Sequence, residues 1–218
     1  MKTLYCISGL GADERVFSKL QISGHVLRPV KWLQPVKGEA MNDYAKRLSD
    51  QIKEPDPIIV GLSFGGMMAI EISKFKSVSK LILISSIKTS SELPGWMNLA
   101  GKAGAYNFLP SKQISSIKAL RALRPIQNYF LGAKTEEEKK IANEYRDHVD
   151  PVYLKWAIAQ VLTWKNDSIP SNLVHIHGSN DHIFPAKKIR DAHIVDGGGH
   201  FMIMDKPDQV ATIIQREL

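Results

Sequence analysis

Only one cysteine, Cys6, occurs in the 218 residues. A lone thiol cannot close an internal disulfide, so the chain is expected to be a cytoplasmic protein without a disulfide framework. No apolar run approaches the ~20 residues that cross a bilayer. A leader is not expected either, because Met1-Lys2 runs straight into a strand pattern. Lysine and arginine number 29 against 22 acidic residues, a formal net charge of +7. The basic residues are scattered. They form no dense block and are not interleaved with aromatics, which argues against a nucleic-acid or membrane partner. The excess is read as solubility and a mild attraction for anionic substrates. Internal repeats and low-complexity tracts are absent. Hydrophobic residues at 44% and charged residues at 23% suit one α/β domain or a domain carrying an insertion.

Strands are also absent over a long stretch. Residues 87–170 hold only helical patterns, separated by Gly95, Gly101, Gly104, Pro110 and Pro125. Thr135 and Glu138 make a capping box, and Asp150-Pro151 opens another helix. On either side, short apolar runs alternate with helical ones. Strands are expected at 3–7, 25–30, 57–62, 80–85, 173–177 and 192–195. Helices are expected at about 14–21 after Asp13, at 41–53, 64–75 and 186–190, and from Pro207 to about 217. Such alternation predicts a parallel sheet between helical layers, with ligands bound beyond the carboxyl ends of the strands. Residues 87–170 leave from that same edge and are placed to form a lid. The expected organisation is a core of 1–86 and 171–218 with a helical cap inserted at 87–170.

The core is organised around Gly61-Leu62-Ser63-Phe64-Gly65. An apolar strand ends at a serine between two glycines, and an apolar helix follows. This is the G-x-S-x-G pattern of a nucleophile elbow. A serine in so tight a turn needs neighbours without Cβ atoms, and the helix N-terminus then faces a developing oxyanion. The bare pattern occurs by chance in about one chain in fifteen of this length. The strand before it and the helix after it make the signal specific.

A serine nucleophile needs a base, and the base needs an orienting acid. His200 follows the last strand in a glycine loop, Asp196-Gly197-Gly198-Gly199-His200. His193 begins a strand, at the wrong edge. His175 and His177 lie within a strand, on one face. Asp181 follows the 173–177 strand and is the expected acid; Asp196, Asp167 and Asp205 are its rivals. The expected oxyanion donors are the backbone N–H groups of Phe64 and of Leu10, in the turn Ser8-Gly9-Leu10-Gly11.

These stretches together resemble the α/β-hydrolase superfamily, over nearly the whole chain except the cap. The resemblance rests on the turn at 8–11, the elbow at 61–65, the His-Gly-x-x-Asp turn at 177–181 and the Gly-x-x-His loop at 197–200. It implies a mostly parallel six-stranded sheet in the order 2-1-3-4-5-6, with helices on both faces. It also implies a serine hydrolase, often an esterase, with catalytic Ser63, Asp181 and His200 and with no metal or organic cofactor. Ser8 departs from the pattern, since relatives often carry histidine there.

Three alternatives stand beside this reading. The fold also hosts lyases, C–C hydrolases, perhydrolases and acyltransferases. It can serve as a noncatalytic ligand-binding protein. His175-x-His177 followed by Asp181-His182 superficially resembles a metallo-β-lactamase-type run, but three residues stand where that run has one. The expected partner is a small-molecule substrate with an apolar acyl group. Trp96, Trp156, Trp164, Tyr106, Phe108, Tyr129 and Phe130 are expected mostly to pack cap helices on one another, with Met67 or Met68 adding an adaptable pocket wall.

Overall fold

Side chains alternate along a strand, so an apolar run without polar interruptions must be covered on both faces. The computed structural model, which describes residues 1–108 and 121–218, has six strands: β1 (Lys2–Ile7), β2 (His25–Val30), β3 (Ile58–Leu62), β4 (Lys80–Ile84), β5 (Leu173–Gly178) and β6 (His193–Val195). The apolar runs of β1, β3 and β4 are covered on both faces, whereas the edge strands β2 and β6 are largely exposed. The six strands form one sheet in the order β2-β1-β3-β4-β5-β6, and every pairing is parallel. Register aligns Ile7 with Gly61, Leu62 with Ile84, and Ile84 with Ile176. The carboxyl ends of the four central strands therefore finish at one level.

Alternation divides the core in two. Tyr5, Ile7, Ile59, Leu81 and Leu83 join one cluster with the helices α1 (Met41–Ser49) and α2 (Phe64–Ser73). Leu4, Cys6, Val60, Ile82, Ile84 and Ile176 join the other, under α7 (Met202–Asp205) and α8 (Pro207–Glu217). Burial pushes the Cys6 thiol up to about 12, so it is an inert core group. α2 is buried almost along its whole length. A Cβ on Gly65 would lie 2.2 Å from the Ile7 carbonyl oxygen and 2.4 Å from that of Ser8; one on Gly61 would lie 2.5 Å from the Gly65 oxygen. These two glycines let the helix start directly against β1 and β3.

Between β4 and β5 the described residues contain helices only: α3 (Gly95–Lys102), α4 (Arg124–Leu131), α5 (Glu136–His148) and α6 (Pro151–Thr163), with short 3₁₀ turns. Both expected caps form. Thr135 and Glu138 close a capping box, and the Asp150 carboxylate accepts the Val152 and Tyr153 N–H groups. Pro110, read as a separator of helices, lies outside the described residues.

Several boundaries differ from expectation. The helix at 14–21 is a single 3₁₀ turn, Glu14–Phe17, and that at 186–190 is Ala186–Lys188. α1 ends at Ser49, since the chain must turn before Pro55 to enter β3. α7 was not legible: four residues carry too little periodicity. The aromatic residues of 87–170 also depart from expectation. Trp96, Phe108, Tyr129 and Phe130 are exposed, while Trp156 packs against Tyr44 of α1 and Phe64 of α2 and Trp164 reaches Glu71 of α2. The reason is a polar anchor for each indole: Trp156 donates to Glu39 O and Trp164 to the buried Glu71 carboxylate.

β5 replaces apolar residues with two buried histidines. His175 Nε2 donates to Ser86 O at 3.1 Å and His177 Nε2 to Phe184 O at 2.8 Å. A carbonyl only accepts, so both rings carry the Nε2 proton. Neither Nδ1 has a partner among the described residues. Burial, reinforced by the charges of His177 and Lys88, holds His175 down to about 3; burial lowers His177 as well. The unfolded chain takes up these protons near the ordinary value of 6.5, so the folded state loses stability as pH falls below that point. One such group makes stability decline by up to ~1.4 kcal/mol per pH unit. Urea midpoints between pH 7.5 and 5, above the carboxylate range, are expected to fall in the wild type. They should fall less in His175→Gln; an identical slope in the two proteins overturns the assignment. Gly65→Ala is expected to cost about 1–3 kcal/mol through its clash with the β1 carbonyls, read as a lowered urea midpoint at pH 7.5, whereas an unshifted midpoint would mean that β1 yields freely.

Candidate active site

The sheet order reverses between β1 and β3, and a crevice opens there beyond the strand ends. Ser63 stands at its centre. Its backbone is left-handed, with φ 54° and ψ −119°, an uncommon conformation for a residue with a Cβ. The turn is held from several directions. Ser63 N–H donates to Ile84 O at 2.9 Å. Its carbonyl accepts from Gly66 N–H at 2.9 Å and from Ser86 Oγ at 2.7 Å.

The loops after β5 and β6 are tied together by Ser179 N–H to Val195 O at 3.0 Å and Asn180 N–H to Gly198 O at 2.8 Å. This brings Asp181 and His200 to the crevice. His200 Nε2 lies 2.8 Å from Ser63 Oγ, and its Nδ1 lies 2.8 Å from Asp181 Oδ2. His200 is buried, and the Phe184 ring stands edge-on to it at 5.5 Å. The other Asp181 oxygen accepts from Ile183 and Phe184 N–H, each at 2.8 Å. Burial opposes the Asp181 charge and is the largest single influence. The His200 contacts, His177 and the Phe184 amide together outweigh it, so the carboxyl is held below its ordinary range. Ionised, Asp181 Oδ2 accepts the His200 Nδ1–H, which leaves Nε2 free to accept from Ser63.

The turn at 8–11 lies beside the elbow. A Cβ on Gly9 would be 3.5 Å from Ser63 Cβ. Among the described residues, no protein acceptor takes the N–H of Leu10 or of Phe64. Ser8 fixes the turn: its hydroxyl donates to Ala12 O at 2.7 Å and accepts Trp32 Nε1–H at 2.9 Å. The Trp32 ring in turn stacks on Phe64 at 5.4 Å.

Other sequence candidates fall elsewhere. Asp196 accepts from Ser179 Oγ at 3.3 Å, and Asp205 pairs with Lys134 at 2.7 Å. His193 pairs with Glu217 at 3.3 Å. The Nε2 atoms of His175 and His177 are spent on loop carbonyls, and no group of three metal-ligating side chains gathers among the described residues. Met67 and Met68 are fully buried in the core and do not line the crevice, because α2 is enclosed on all sides. Sequence reasoning missed Ser86 and the Ser8–Trp32 pair; a hydroxyl bonded to a distant carbonyl leaves no periodic signal.

A cavity of about 700 Å³ opens on Ser63 and His200, walled by Leu10 and Phe184 below and by residues of α3, α4, α5 and α6. Trp96 and Phe130 are among its lining, partly exposed as they are. No helix among the described residues is long and apolar enough to cross a membrane.

The model of the alpha/beta hydrolase family matches residues 24–213, a span that includes Ser63, Asp181 and His200. No curated protein matches the chain. Solved structures resemble it over nearly its full length. A bromoperoxidase from Bacillus anthracis has a TM-score of 0.72 at 16% identity, covering 99% of this chain and 91% of that one. The esterase EaEST from Exiguobacterium antarcticum gives 0.69 at 17% identity, covering 100% and 92%. The N-acyl homoserine lactonase AidH, complexed with N-butanoyl homoserine, gives 0.68 at 14% identity, covering 99% and 88%. At these identities the likeness is one of fold; the family match, spanning most of the chain, shows that this protein belongs to the alpha/beta hydrolase family.

Proposed function

We propose that the protein is a serine hydrolase that cleaves small esters or related acyl bonds through an acyl-Ser63 intermediate. The observation that carries this reading is the continuous relay Ser63–His200–Asp181, with both contacts at 2.8 Å, at the floor of a cavity of about 700 Å³.

In this reading His200 Nε2 takes the Ser63 proton as Oγ attacks the acyl carbon. The negative oxygen that forms is met by the unpaired N–H groups of Leu10 and Phe64, the latter at the N-terminus of α2. His200 then gives its proton to the departing alcohol. Water enters, loses a proton to the same nitrogen and releases the acid. Asp181 stays ionised throughout, fixes the ring and stabilises its charged form. Residues 87–170 act as a cap: four of its helices wall the cavity, and enclosure excludes water from the reacting centre. The substrate is a small molecule, in keeping with a cavity of this size.

Ser63→Ala is expected to lower kcat by ~10⁵–10⁶ and to abolish labelling by a fluorophosphonate probe. Asp181→Asn should cost about 10⁴ in kcat by giving His200 the wrong partner, whereas Asp196→Asn should be mild; the reverse ranking would reassign the acid. A series of p-nitrophenyl esters, with Ser63→Ala as the blank, tests the cavity. Each buried methylene should add about 0.8 kcal/mol of transition-state binding up to an optimum near butanoyl or hexanoyl, followed by a decline. Activity that climbs through lauroyl would mean an open groove, and no Ser63-dependent turnover of any ester would reject the hydrolase reading.

A further inference from the structure

The cavity above Ser63 is not apolar throughout. Its lining includes three arginines, Arg121, Arg124 and Arg146, against one carboxylate, Asp147. Asp147 is engaged by Arg124 in an ion pair and lies 3.9 Å from Arg121. Arg146 is different. Its Nη1 donates to the amide oxygens of Asn128 at 2.7 Å and Asn143 at 2.9 Å, both neutral. A guanidinium has five N–H donors. Those on Nε and Nη2 meet no acceptor among the described residues, and no carboxylate lies within ion-pair distance. Asn128 is itself buried, so the head group is held in place from one side while the other edge of its fork is left open. Nor do residues 109–120 supply a counter-charge by composition, since they contain two lysines and no acid. Burial, with Arg124 nearby, pushes Arg146 down to about 10. A cation that is partly desolvated, oriented and short of an anion gains from any ligand that brings one.

We propose that Arg146, with Arg124 beside it, forms a subsite for a carboxylate carried by the substrate, so that the cavity selects anionic esters over neutral ones of the same shape. This rests on the hydrolase reading above and deepens it. It revises the expectation of a purely apolar acyl group: the substrate has an apolar segment against the cavity wall and an anionic end. The planar, two-oxygen geometry of a carboxylate matches the open edge formed by Nε and Nη2.

Matched probe pairs test this on either side of the scissile bond. On the acyl side, mono-4-nitrophenyl adipate and suberate are compared with their methyl esters. On the leaving-group side, 4-(butanoyloxy)benzoate is compared with its methyl ester, with each rate corrected for hydroxide reactivity. The wild type is expected to favour the anionic member of at least one pair by ~10-fold or more in kcat/KM, mainly through KM. Arg146→Gln should bring that ratio close to one, and Arg146→Lys should retain part of it. Raising salt from about 0.05 to about 0.5 M should shrink the wild-type ratio. Ratios at or below one for both pairs in the wild type overturn the subsite. So does an Arg146→Gln variant that loses anionic and neutral turnover equally, which would mark Arg146 as structural.

A binding arm separates this proposal from the hydrolase reading. Calorimetry on Ser63→Ala should detect monomethyl suberate more strongly than dimethyl suberate, and Arg146→Gln in that background should erase the difference. Should no ester be turned over while this difference appears, the subsite stands and the hydrolase reading falls. Ester turnover without any difference in binding or rate has the opposite meaning.

Discussion

The structure depends on a backbone conformation that is unfavourable in isolation. A left-handed Ser63 costs of order 1–3 kcal/mol and persists only where its surroundings over-determine it. Here they do. Its amide is fixed by β4 through Ile84, and its carbonyl is fixed by Gly66 and Ser86. The helix that begins at the next residue is buried almost completely and starts against the carbonyls of β1. Burial of α2 supplies the free energy that offsets the strain, and the same packing sets the turn at 8–11 beside the serine. The hydroxyl projects from the sheet edge because these contacts hold the turn that carries it.

Much of this was legible in the sequence, and the reasons differ by element. β3 and β4 were readable because Ile58–Leu62 and Leu81–Ile84 run without a polar residue and are ended by turn residues, which fits no exposed element. The elbow was readable because the need for Gly61 and Gly65 is written into the chain as a spacing. Topology marked His200 and Asp181, each past a strand at the carboxyl edge, but it marked Asp196 as well; the 2.8 Å contact between Asp181 and His200 is what the sequence did not show. The failures were of another kind. The helix at 14–21 was expected from Asp13 as a cap; the cap forms, but the turn it opens is a single 3₁₀ turn that ends at Phe17. Met67 and Met68 looked available as a wall because a sequence does not say how many sides of a helix are covered. The Arg146 fork was invisible, since its meaning lies in which acids are missing around it in space.

β5 shows a different compromise. Apolar side chains at 175 and 177 would fill the same volume without an orphaned ring nitrogen. The histidines instead tie down two loops: Ser86, which holds the Ser63 carbonyl, and Phe184, whose amide holds Asp181 and whose ring faces His200. Their cost is a pH-dependent stability, since each ring must stay neutral to remain buried. Through these bonds the two histidines brace both ends of the hydrogen-bonded chain Ser63–His200–Asp181.

The helical segment and the relay also share their attachments. On one flank Trp156 lies against Tyr44 at 4.2 Å and edge-on to Phe64 at 6.1 Å, while Tyr153 approaches Trp32, the residue that bonds Ser8. On the other flank the carboxyl end of α4 accepts Phe201 N–H through Leu131 O at 2.9 Å, one residue beyond His200. The segment thus grips the turn carrying Leu10 and the loop carrying His200. Leu10 and His200 are held by contacts with the same helical segment, from opposite flanks. Arg124 belongs to α4, and Arg146 to the neighbouring α5. Arg124 therefore lies on the element whose carboxyl end, through Leu131 O, holds the loop that carries His200.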